Sequence, residues 1–175
     1  NGEYMGMLNI RERSNEDNIY TNYDGLEDID MIENDNELKE GTWDNFNAFK
    51  AFYNETGHTL AEYAEWMDWQ EYINLMIENI YFNNQDFPGN NNVIWRPQAE
   101  GGKWRWITKD TDFGLGLYGS SPDYNTIKWL DSNNYDPNRN WANKPEHTIL
   151  FRHLMADTDF KTEFLNRAAI YMGDF

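Results

Sequence analysis

Asn83-Asn84-Gln85-Asp86-Phe87-Pro88-Gly89-Asn90-Asn91-Asn92 and Asp110-Thr111-Asp112-Phe113-Gly114-Leu115-Gly116 are two polar, acid-bearing clusters, and the run between them decides the fold. Val93-Ile94-Trp95 and Trp104-Arg105-Trp106-Ile107 carry the β-branched and aromatic side chains that suit a pleated surface. Pro97-Gln98-Ala99-Glu100-Gly101-Gly102 joins them with turn formers, so the run reads as a β-hairpin. A hairpin returns its two ends to one place. Asp86, Asn91, Asp110 and Asp112 are therefore expected to converge.

That spacing has chemical content. An Asp, an Asn five positions later, a hairpin and then an Asp near a Gly is the layout of a kinase catalytic loop followed by a metal-binding loop. In that layout Asp86 accepts the proton of the acceptor hydroxyl, while Asn91 with Asp110 or Asp112 holds magnesium on the phosphates of ATP. Taken alone, an Asp before Phe-Pro-Gly is a turn former; the paired carboxylates beyond the hairpin favour the catalytic reading. Asn90 and Asn92 read as turn residues. Asp112-Phe113-Gly114 spells a kinase triplet, yet Asp110, Asp112 and Gly116 also form an Asp-x-Asp-x-x-x-Gly pattern, so both carboxylates stand as metal candidates.

The composition permits this chemistry and excludes others. A chain of 175 residues with 8 Trp, 11 Tyr and 10 Phe has enough large apolar side chains for a core of its own. Thirty-one acidic against 14 basic residues leave a formal charge of −17, which repels nucleic acid and anionic membrane surfaces and attracts divalent cations. There is no cysteine, so no disulfide and no thiolate metal site. No apolar run approaches the roughly 18 residues that span a bilayer. The first residue is Asn1 rather than Met, from which the chain is expected to be an excerpt of a longer protein.

In chain order, Asn1-Gly2 is a turn dipeptide, and Tyr4, Gly6, Leu8 and Ile10 fall on one face of a strand reaching Arg13. Ser14 is placed to cap a short helix to about Tyr20. Residues 27–37 mix six acids with Ile29, Met31 and Ile32, and read as an edge strand leading into a solvated acidic loop; a calcium site is the alternative. A helix follows from Thr42 to Gly57, with Trp43, Phe46, Phe49 and Tyr53 at helical spacing. Thr59 with Glu62 forms a capping box for a second. Asp68 with Glu71 starts the clearest helix, whose stripe of Trp69, Tyr72, Ile73, Met76, Ile77, Ile80 and Tyr81 is core and delivers Asp86 just beyond its end. Residues 119–140 are loop-like, and the tail returns to helix from Glu146 to about Met155, then from Asp157 with Phe160, Phe164, Leu165 and Ala168 inward. The three histidines have no metal-ligand spacing and read as surface or capping residues. Trp95, Trp104 and Trp106 could stack a sugar or an adenine, but on this hairpin they read as core.

Three motifs also resemble a known family. Asn1-Gly2-Glu3-Tyr4-Met5-Gly6 with Arg11-Glu12-Arg13, Asp86-Phe87-Pro88-Gly89-Asn90-Asn91, and Lys103-Trp104-Arg105-Trp106-Ile107 leading to Asp110, Asp112 and Gly116 are similar, in order, to signatures of the CotH atypical kinases, named for a spore-coat protein. The resemblance covers most of residues 1–116. It implies an α+β fold: one partial domain over 1–175, with 1–40 as the end of an N-terminal sheet lobe and 41–175 as a helical lobe carrying a catalytic hairpin. It implies magnesium-dependent transfer of the ATP γ-phosphoryl group to Ser or Thr of a protein substrate, in an extracytoplasmic or spore-surface setting. Arg11, with Glu12 as its orienting partner, then becomes a phosphate-binding cation or else an exposed ion pair. The alternatives are a secreted calcium- or carbohydrate-binding module and a kinase-like domain without activity. The usual kinase lysine and glycine-rich loop are not visible in the sequence.

Overall fold

The structure, a computed structural model, describes residues 2, 13–117, 121, 123–131 and 141–173. The strand expected up to Arg13, and Arg11 and Glu12 with it, lies outside the described residues.

Four antiparallel strands form one sheet in the order β2-β1-β3-β4: β1 Ile29–Glu33, β2 Glu37–Glu40, β3 Val93–Pro97 and β4 Arg105–Ile107. Strands β3 and β4 are the expected hairpin, with Val93 opposite Ile107 and Trp95 opposite Arg105. The sheet draws on both sides of residue 40, where the sequence reading divides the chain. The expectation of an edge strand over residues 27–37 is corrected, because β1 lies between β2 and β3. The physical reason is that β1 is wanted on both faces. Ile29 and Met31 join Val93, Trp95 and Ile19 of helix α1 (Glu16–Asn22) in a small core on one side, whereas Ile32 and Ile94 enter the main core on the other. The edges are β4 and β2, and β2, Glu-Leu-Lys-Glu, is exposed throughout and charged enough to discourage further pairing.

Asp30, the second residue of β1, has no solvent exposure, so it is not part of an acidic surface. Its carboxylate accepts from the Thr42 backbone N–H (2.9 Å), Asn45 Nδ2 (2.7 Å) and Gln98 Nε2 (2.9 Å). These bonds tie β1 to the start of helix α2 (Asp44–Asn54) and to the hairpin loop. Gly41, at φ +76°, allows the approach, since a Cβ there would stand 2.4 Å from Asp30 Oδ1.

The helical lobe comprises α2, α3 (Leu60–Trp66), α4 (Trp69–Tyr81), α5 (Thr126–Trp129), α6 (Pro145–Ala156) and α7 (Thr158–Gly173). Local signals set most of the boundaries. Thr59 and Glu62 form the reciprocal capping box, and Asp68 accepts from the Glu71 N–H. Asp157 accepts from the N–H groups of Asp159 and Phe160. At α1 the cap is Asn15 rather than Ser14. Tyr72, Ile73, Met76 and Ile77 bury as the period requires, while Tyr81 and Leu165 are exposed, contrary to expectation: Tyr81 because it is the last residue of α4, and Leu165 because the buried stripe of α7 runs Phe160-Phe164-Ala168 and leaves the position beside it turned outward. Two main-chain bonds, Trp104 N–H to Trp66 O (2.8 Å) and Asp68 N–H to Trp104 O (2.9 Å), seat the hairpin on the α3–α4 junction. Arg105 adds ion pairs to Asp68 and Glu71. No helix among the described residues is long and apolar enough to cross a membrane.

Replacing Asp30 with Ala orphans three donors at the sheet–helix seam. Urea unfolding should register a loss of about 3 kcal/mol or more, as for other buried charge-assisted bonds; a loss under about 1 kcal/mol would mean that Asp30 does not hold the seam.

Candidate functional site

Helix α4 ends at Tyr81, and a ladder of buried amides carries the chain onward from it. Asn79 Nδ2 donates to Leu75 O, Asn84 Nδ2 donates to Asn79 Oδ1, and Asn84 Oδ1 in turn accepts from the Asp86 N–H at 3.1 Å. The main chain of Asp86 is thus referred back to the helix. Its carboxylate, only 6% exposed, accepts from Asn90 Nδ2 and Asn91 Nδ2, each at 2.6 Å and both on Oδ2. Burial pushes the Asp86 carboxyl above the ordinary aspartate range; the Asn90 bond pulls it down in part, and the charge of Asp112 pushes it up again.

The second cluster does return to the first. The Leu115 N–H donates to Phe82 O (2.7 Å) and the Gln85 N–H to Phe113 O (3.4 Å), joining the two loops through main chain. Gly114 permits this closeness, since a Cβ there would meet Phe82 O at 2.5 Å. Asp112 lies in a single 3-10 turn, Thr111–Phe113, and Asp110 precedes it in the left-handed region at φ 51°. Asn91 is also left-handed, at φ 55°. Such backbones in non-glycine residues collect at functional sites.

Asp110 and Asp112 line a cleft of about 850 Å³ together with Arg13, Glu33, Lys39 and Lys109. Its volume is within the range of small-molecule sites. Asp86 and Asn91 are not among its lining residues, so the four sequence-predicted groups do not form one cage; Asp86 and Asn91 are bonded to each other, and Asp112 reaches Asp86 through its field. No three His, Asp or Glu side chains gather as a metal cluster among the described residues. The donor set instead suits magnesium, which is held by one or two carboxylates and completes its shell with water and phosphate oxygens. Asn91 spends its Nδ2 on Asp86, so the atom it can offer a cation is Oδ1.

Three features escaped the sequence reading. Asn90, read as a turn residue, bonds Asp86 as closely as Asn91 does, and Asn34 Nδ2 donates to Asn90 Oδ1 at 3.1 Å. Lys109 is paired with Glu33, which also meets Lys39 at 3.3 Å. Burial raises the Glu33 carboxyl, but the hydrogen bonds and charges of the two lysines outweigh it and hold the group below its ordinary range. No local signal announces partners 56 or 76 positions apart. Trp95 and Trp104 are buried and unavailable for stacking, and Trp106 packs on Tyr72. His58 is stacked on Phe52 rather than at the surface.

A family model described as CotH kinase protein matches residues 1–172. The chain belongs to the CotH kinase family. No curated protein and no solved structure matches it. For this CotH domain the family match supports a kinase-like function. The three motifs quoted above lie within the matched span.

Carboxyl titration by NMR checks the electrostatics without any substrate. Asp86 should titrate above its ordinary value of 3.8. Asn90→Ala removes a donor to the ionised form and should move the midpoint further up, whereas Asp112→Asn removes a repelling charge and should move it down. A raised folded-state value means that the native protein holds this proton more tightly than the unfolded chain. Asp86 therefore favours folding below its ordinary range and loses that contribution as pH rises through the raised value. Asp86→Asn should consequently melt no lower than wild type at pH 7.

Proposed function

We propose that the protein transfers the γ-phosphoryl group of ATP, in a magnesium-dependent reaction, to a Ser or Thr hydroxyl of a protein substrate. The observation that carries this reading is the buried Asp86, held through Oδ2 by two asparagines and raised in pKa, one loop contact away from the Asp110–Asp112 cleft. A carboxylate with a raised pKa is a better base than an ordinary one, and a fixed one needs no reorganisation as the reaction proceeds. The acceptor's proton passes to Asp86 Oδ1, the oxygen that neither amide takes. The acceptor oxygen bonds to the γ-phosphorus as its bond to the bridging oxygen breaks, and ADP departs with that electron pair. Magnesium, when bound, neutralises charge on the phosphate oxygens. Asp110 and Asp112, which line the cleft, are the groups that would hold it, and Asn91, outside that lining, would serve through Asp86.

The net charge of −17 suits a divalent-metal nucleotide better than a bare one, because the carboxylates repel uncompensated phosphate. The family's association with the spore coat supports an extracytoplasmic setting. A sugar-binding module is disfavoured by the burial of Trp95 and Trp104.

The decisive experiment incubates the protein with radiolabelled ATP, magnesium and a generic Ser/Thr protein substrate. Wild type should transfer label. Asp86→Asn should lose at least about a hundredfold, the scale of a general base, with its melting temperature retained. Asp112→Asn should require far more magnesium. Full transfer by a folded Asp86→Asn would end this assignment.

A further inference from the structure

We propose that Asn34, in the turn between β1 and β2, is the positioning residue for Asp86: acting through Asn90, it fixes which way the Asn90 amide faces and thereby which oxygen of the Asp86 carboxylate stays open to the acceptor hydroxyl. This rests on the phosphoryl-transfer reading above and names the group that orients its base.

Asn34 makes three bonds to the loop beyond Asp86. Its main-chain N–H donates to Asn92 O at 2.8 Å, which carries the β1–β3 pairing one step past Glu33 and Val93. Its side-chain Oδ1 accepts from the Asn92 N–H at 3.1 Å, and its Nδ2 donates to Asn90 Oδ1 at 3.1 Å. The first two bonds hold the main chain of the loop; the third reaches the chemistry. Asn90 Nδ2 goes on to Asp86 Oδ2 at 2.6 Å, so two amides in series join the end of a buried strand to the carboxylate.

The direction of this relay decides its effect. A primary amide donates at one end and accepts at the other, and turning it over exchanges the two. With a donor from Asn34 on its oxygen, Asn90 presents its NH2 to Asp86. Without that donor the amide is free to turn, and its carbonyl oxygen would then face an anionic carboxylate. Held as it is, Asn90 joins Asn91 on Oδ2, and Oδ1 is left for the acceptor's proton.

A turn role alone does not account for Asn34. Asn34 and Asp35 are successive left-handed residues, at φ 54° and 61°, and Asp35 meets Lys50 of α2 at 3.4 Å. Asparagine is tolerated in that backbone, but glycine takes it with less strain. What glycine lacks is a side chain that donates and accepts at once, as Asn90 and Asn92 together require.

Asn34→Gly keeps the left-handed backbone and the main-chain bond while removing both side-chain bonds, so it is the variant to compare with Asn90→Ala. By NMR with no nucleotide present, Asn34→Gly should raise the Asp86 midpoint as Asn90→Ala does, and the double variant should go no higher than Asn90→Ala alone, because the relay passes through one amide. In the transfer assay kcat should fall about tenfold, the scale of one lost hydrogen bond, with KM for ATP unchanged. The acid limb of the kcat profile should move up in pH together with the midpoint. In wild type the side-chain amide signals of Asn90 and Asn34 should both follow the Asp86 titration, a readout that needs no variant to fold. An Asp86 midpoint or a kcat that stays put in folded Asn34→Gly, additive shifts in the double variant, or an Asn34 amide silent through the Asp86 titration each overturn the relay and leave the kinase reading standing. Wild type that meets the titration results yet transfers no phosphate ends the kinase reading and upholds the hold of Asn34 on Asp86.

Discussion

Two main-chain hydrogen bonds, from Leu115 to Phe82 and from Gln85 to Phe113, close the segment 82–115 on itself, and the chemistry of the site depends on that closure. Without it Asp112 would not act on Asp86, and the cleft would lose the wall that Phe82 shares with Asp110 and Asp112. The bonds exist because a two-stranded ribbon cannot do otherwise than bring its ends together, and because a glycine at 114 lets backbone meet backbone. They are main-chain bonds, so their formation asks little of the side chains around them.

The ribbon is in turn positioned by what it leans on. Trp104 joins it to the α3–α4 junction, and Asp30 joins the neighbouring strand to α2. Strand β1 is the common element. Its second residue, Asp30, holds the helical lobe, its last residue Glu33 meets two lysines, and the next residue, Asn34, holds Asn90. A short strand buried on both faces is a rigid mount, and the groups placed at its end inherit that rigidity.

Much of this was legible in the sequence. The hairpin, the capping box at Thr59, the cap at Asp68 and the buried face of α4 follow from interactions between residues a few positions apart, whose periodicity and hydrogen-bond chemistry the order of residues records directly. The sequence reading brought Asn91 near Asp86 as a metal ligand, and the direct bond from its amide to the Asp86 carboxylate came from the structure. The misplacement of β1 at the sheet edge came from a different cause. Asp28 and Asp30 gave the segment a solvated look, and only the distant Asn45, Gln98 and Thr42 reveal that one of those acids is an interior anchor. Tyr81 and Leu165 were placed inward by periodicity alone, which cannot say where a helix outruns the core, as at Tyr81, or how narrow its buried stripe is, as at Leu165.

The order of residues by itself therefore determined the ribbon, the helix starts and the family, since each rests on short-range chemistry or on motifs. Tertiary structure alone decided that Asn34 supports Asn90, that Glu33 gathers Lys39 and Lys109, and that Asp86 lies beside the Asp110–Asp112 cleft and not within its lining. Those partners are dozens of positions apart, and a contact of that kind is fixed by how the sheet packs against the helices, a sum over many burial terms to which no single residue holds the key.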